Sequence, residues 1–181
     1  MSTEIKQINV RDWITLSTVM IGAVLTILAL IWQLPPTSGG IGSVTFLLML
    51  SFILFVNSVS ANSKANYEVN LGKVDDEYIS RFVKLAEFSF GAGFTLVISA
   101  FSILGYKYLL ASSIGRTLIT ILLPITFLVT AWGMIFIYNI INYSGKTIKV
   151  LSSMKRNIWI FLELICLVII LLDFFEVFFI P

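Results

Sequence analysis

Histidine is absent from this 181-residue chain, and cysteine occurs once, as Cys166. The first absence removes the commonest general base and the commonest transition-metal ligand, so haem, copper and zinc sites of the usual kinds are not expected. The second excludes an internal disulfide, a CxxC redox pair and a thiolate cluster. Neither a Ser/His/Asp nor a Cys/His arrangement can be assembled, and no glycine-rich phosphate loop is present. Charge is scarce as well, at 12% of residues with a formal net charge of +2, too little to suggest a nucleic-acid partner. The expectation is a protein with no catalytic residues, no cofactor and no metal, and so not an enzyme.

What the chain has in quantity is apolar surface: 58% of its residues are hydrophobic and its mean hydropathy is +0.98. Runs long enough for a bilayer, which takes about 20 helical residues, fall near 13–33, 42–62, 87–110, 117–141 and 158–180. The fold class expected is all-α: a polytopic integral membrane helical bundle of five transmembrane helices, one domain over residues 1–181. The first run is too long for a signal peptide and lacks a small-residue cleavage site, so it reads as a retained anchor.

Basic residues then set the orientation, because they accumulate in cytoplasmic segments. With five spans, ten of the 12 lysines and arginines fall on one side, leaving Lys107 and Arg116 alone on the other. This predicts the N-terminus inside and the C-terminus outside, in the plasma membrane. Trp13 and Trp159 mark the inner boundary and Trp32, Tyr106 and Tyr108 the outer one, while Trp132 falls mid-helix and is expected to pack inside.

Pro35-Pro36-Thr37-Ser38-Gly39-Gly40 reads as a turn that makes a hairpin of the first two helices. Residues 63–86 are expected to form a cytoplasmic loop and a helical extension of the third span. Asp75, Asp76 and Glu77 suit a helix first turn, and Glu77 with Arg81 is spaced for an i,i+4 pair. A helix over 75–110 would be roughly 50 Å long and would outreach a ~30 Å hydrocarbon core. Similar frames around Gly22 and Gly91, and the matches of Asn57 with Asn139 and Lys64 with Lys146, leave open a duplicated two-helix hairpin beside chance resemblance of apolar helices.

Polar residues inside the spans have two readings. Gly91, Thr95, Ser99 and Ser102 form one stripe of the third helix, suited to close packing or to a water-lined path. Asn57, Asn139 and Asn142 suit interhelical hydrogen bonds, and Pro124 is expected to kink the fourth helix. Lys146, Lys149, Lys155 and Arg156 follow the positive-inside bias, and Glu163 is placed near Lys155 and Arg156. Asp173 and Glu176, in LLDFFEVFF, are the least comfortable. An acid near a helix centre costs about 2.5 to 3.5 kcal/mol in insertion experiments, so it is expected to face protein or water and to have a partner. Three residues apart, the two acids would share a helical face, near Arg116 and Lys107. Asp173 with Arg116 as an outer-leaflet ion pair is one expectation, a cation path lined by the acids another, and a partner protein supplying the cation a third.

Two functions follow from these readings. One is a small oligomeric channel or transport protein, for cations, with Asp173, Glu176 and Arg116 near the path. The other is a non-catalytic accessory or assembly subunit of a larger membrane complex, docking through the fifth helix and the extension of the third. The partners expected are the lipid bilayer and either further copies or other membrane subunits.

Overall fold

A computed structural model describes residues 3–71, 76–142 and 158–181. Within them the chain is all-helical, with five helices: α1 (Thr3–Gln33), α2 (Ile41–Leu71), α3 (Asp76–Ala111), α4 (Leu118–Asn142) and α5 (Ile158–Phe174). Three contain stretches long and apolar enough to cross a membrane, Arg11–Gln33, Ile41–Leu71 and Glu77–Ala111. Helix is the conformation such sequences demand, since hydrocarbon offers no partner to a backbone N–H or C=O and a helix satisfies them within one segment.

The expectation of a loop directly after residue 62 is corrected: α2 continues to Leu71. Ala61, Asn62 and Ala65 give its last turns a buried face, Lys64 pairs with Glu68 one turn on, and no glycine or proline interrupts the chain between Gly42 and Gly72. Glu77 and Arg81 form the i,i+4 pair at 2.8 Å. The basic segment around Lys146, Lys149, Lys155 and Arg156, and the side chains of Asn139 and Asn142, lie outside the described residues.

The chain divides into two compact units. The first combines residues 1–33 with 46–97. Its core is built on close contacts between helices. Ser17 and Ser58 join α1 to α2 through their hydroxyls at 3.1 Å, and the Asn57 amide donates to Ser89 Oγ of α3 at 2.6 Å. Phe55 is fully buried and packs against Gly93, where an added Cβ would come within 3.1 Å of the ring. Phe90 meets both Trp13 and Phe55, at centroid separations of 5.0 and 5.5 Å. Thr95, on the stripe of small residues, is buried, which fits the packing reading of that stripe.

The second unit combines residues 34–45 with 98–181. Here Ser99 and Ser102 are also buried. Ser102 turns its hydroxyl back onto the Ile98 carbonyl, and the Ser99 carbonyl accepts the Cys166 thiol of α5 at 3.6 Å. Gly105 lets Leu123 of α4 approach, a Cβ there falling 3.2 Å from the leucine methyl. Pro124 lies inside α4. Trp132, expected inside, is half-buried with its indole nitrogen shielded from solvent.

A buried ion pair under a C-terminal strap

The sequence expectation of a fifth helix running to residue 180 is corrected by the way α5 stops. The helix ends at Phe174, and Glu176 adopts a left-handed conformation with φ of 61°. Val177 N–H donates to the Leu172 carbonyl at 2.9 Å and Glu176 N–H to the Asp173 carbonyl at 3.1 Å. These two bonds are those of a Schellman C-cap, which puts Glu176 where glycine is usual. Residues 175–181 then form a non-helical strap. Its Pro181 carbonyl accepts from Ser43 N–H at 3.1 Å, satisfying a donor in the first turn of α2 that has no partner within its helix.

Because the helix has ended, Asp173 and Glu176 do not share a helical face. Asp173 is buried and Glu176 is exposed. The pairing is corrected too. Arg116 binds Glu176, at 3.0 Å, and donates to the Phe174 carbonyl at 2.8 Å, so its charge caps the negative C-terminal end of α5. The partner of Asp173 is Lys107. The physical reason is register: the turn at residues 175–176 swings Glu176 towards the start of α4, while Asp173, still helical, faces the last turns of α3.

The Asp173 carboxylate is surrounded by donors. Lys107 Nζ reaches Oδ1 at 3.0 Å and Oδ2 at 3.1 Å, the Tyr106 hydroxyl donates to Oδ2 at 2.6 Å, and the backbone N–H of Ile180 donates to Oδ1 at 2.8 Å. A carboxylate offers about four lone-pair sites, so these bonds leave no acceptor position open. Lys107 is held as tightly. Its ammonium also donates to the Ser38 carbonyl at 3.5 Å and lies 4.7 Å from the centroid of the Phe179 ring, a cation–π separation. Its own carbonyl accepts from Ser38 Oγ. Gly40, with φ of +85°, presses on the lysine stem, where a Cβ would fall 2.7 Å from Cγ. The turn joining α1 to α2, the end of α3 and the end of α5 therefore converge on one ion pair.

Asp173, Glu176 and Arg116, the residues singled out from sequence, are brought to one end of this unit. They form two separate pairs there, each acid with its own cation. Tyr106, Ser38, Gly40 and Ile180 were not foreseen. Tyr106 read as an interfacial aromatic, and only its position next to Lys107 could have hinted otherwise. Glu163 of α5 is fully buried, whereas the basic residues expected beside it lie outside the described residues. Compared with known protein families, with curated proteins and with solved structures, the chain matches none.

Proposed function

We propose that the chain is a five-span protein of the plasma membrane, N-terminus inside and strap outside, that works as a non-catalytic docking subunit of a membrane assembly. The observation that carries this reading is the closed state of its acids: Asp173 spends all its acceptor positions on donors of its own unit, and Glu176 is neutralised by Arg116. A carboxylate that serves a passing cation has to exchange ligands, and these already have theirs. Cation conduction along Asp173 is the less supported alternative.

Helix length supports the docking role. The 36 residues of α3 extend ~54 Å at 1.5 Å per residue, more than a ~30 Å hydrocarbon core can cover, so its first turns project on the cytoplasmic side. Tyr78 and Leu85 are exposed there, as are Tyr67 and Leu71 at the end of α2, and apolar groups beyond the lipid are suited to contact with protein. The test is the native mass of the complex after gentle extraction, with every co-purifying chain identified, together with cation flux in reconstituted vesicles. Stable companion chains and no flux are expected. A lone homo-oligomer whose flux falls in Glu176→Gln would replace docking with conduction.

A further inference from the structure

Residues 175–181 fall into two parts. From 175 to 178 every backbone N–H is bonded to a carbonyl of α5 itself, at Leu171, Leu172 or Asp173, so this turn belongs to the helix it caps. Residues 179–181 reach across to other elements. The Phe179 ring lies 4.7 Å from Lys107 Nζ and beside Gly39, where an added Cβ would fall 3.0 Å from Cζ of the ring. Ile180 N–H donates to Asp173 Oδ1 at 2.8 Å, and the Pro181 carbonyl accepts from Ser43 N–H at 3.1 Å. Adjacent residues thus touch the two members of the buried ion pair, Phe179 the cation and Ile180 the anion.

We propose that residues 179–181 are a charge-held clasp. They close over the Lys107–Asp173 pair because both charges attract them, and they open as one piece about the turn at 175–178, without unfolding the helices beneath. The docking role requires no such motion. The clasp adds to it two states of this end of the unit, one with the pair and the first turn of α2 covered and one with both uncovered.

Two features make the clasp separable from the fold. The first is shallow burial: between 175 and 181 Ile180 is the one buried residue, and Phe179 is 66% exposed even where it meets Lys107. Segments with so little buried apolar surface open locally before the fold is lost. The second is that opening leaves the pair intact. Asp173 keeps Lys107 and the Tyr106 hydroxyl, and Lys107 keeps Asp173 and the Ser38 carbonyl. What closes the clasp is charge. An N–H donated to a carboxylate makes a bond roughly twice as strong as one between neutral groups, and the attraction of an ammonium for a ring is electrostatic as well.

The test is amide hydrogen exchange of the full chain in lipid nanodiscs, read residue by residue. Two amides report on the clasp: Ile180, bonded to Asp173, and Ser43, which is bonded across to Pro181 and has no acceptor within its own helix. Ile103 of α3 and Ile170 of α5, both buried, report on the helices. Phe179→Ala removes the ring and leaves both charges and both backbone bonds possible. Lys107→Met combined with Asp173→Asn removes both charges and keeps side chains of similar size, so neither charge is left buried alone. In both proteins Ile180 and Ser43 are expected to lose protection together while Ile103 and Ile170 keep theirs. For the charge-free pair the expected loss is about 10- to 100-fold, the factor that corresponds to one hydrogen bond to a charged group. Parent-like protection of Ile180 or Ser43 in the charge-free pair overturns the clasp. Loss at Ile103 and Ile170 along with Ile180, in either protein, also overturns it, because residues 179–181 would then be part of the core and not a cover on it.

Discussion

Lys107 Nζ stands 3.0 and 3.1 Å from the two carboxylate oxygens of Asp173, with the side chains 1% and 2% exposed. The pair ties the end of α3 to the end of α5, and both partners use their remaining valences on the turn before α2 and on the strap. Removing two charges from water costs several kcal/mol per ion, roughly offset by their attraction only when the leftover donors and acceptors are satisfied. That condition is met here, so losing any one donor should be felt.

Tyr106→Phe keeps the ring and removes one hydrogen bond to a charged acceptor, a class of bond that contributes about 1.5 to 3 kcal/mol. A loss of stability of that size is expected, measured by equilibrium unfolding in mixed micelles. Tyr108→Phe removes a hydroxyl that donates to the exposed Leu34 carbonyl and should cost less than Tyr106→Phe in the same assay.

Glu176 holds a left-handed conformation that costs a non-glycine residue about 1 to 2 kcal/mol. Glu176→Gly removes that strain and an exposed ion pair worth about 0 to 1 kcal/mol, so thermal stability should be unchanged or higher. Glu176→Val loses the pair and adds a β-branched side chain where none fits easily, so it should be clearly destabilised. The opposite order in a melting experiment would remove the C-cap from this account.

Gly40 and Gly115 both have positive φ, +85° and +59°, but only Gly40 faces a neighbour, with a Cβ landing 2.7 Å from Lys107 Cγ. Gly115→Ala should therefore cost only the conformational strain, about 1 to 2 kcal/mol. Gly40→Ala should cost more, because it also displaces the lysine from Asp173. Parallel unfolding curves of the two variants decide between them.

In the first unit, the Asn57–Ser89 hydrogen bond should behave as ordinary interhelical glue. A double-mutant cycle with Asn57→Ala and Ser89→Ala is expected to give a coupling of about 0.6 kcal/mol and not beyond about 1.7, the range found for such bonds in membranes.

The helical class was legible because apolar runs are local signals, as is the Glu77–Arg81 spacing that forms an i,i+4 pair. The continuation of α2 through 63–71 was less so. Its buried face is carried by Ala61, Asn62 and Ala65, which are small or polar and do not register as hydrophobic periodicity. The end of α5 had no local mark at all. LLDFFEVFF contains neither glycine nor proline, and the left-handed turn is held by a non-glycine residue through contacts with Arg116, Lys107 and Ser43 that are distant in sequence. From the charges alone, Arg116 and Lys107 were equally available to Asp173. Only the geometry of that turn assigns one to each acid.

The proposed docking role requires Lys107 and Asp173 to be a structural pair and not part of a path. A thermodynamic cycle with Lys107→Met, Asp173→Asn and the double variant, read by equilibrium unfolding in mixed micelles, tests it most directly. Breaking a buried pair from one side typically costs about 3 to 5 kcal/mol, while removing both charges restores much of the loss. Two strongly destabilised single variants are expected, with a double variant far less destabilised than their sum. Single variants that each unfold like the parent, with additive effects in the double, would contradict it.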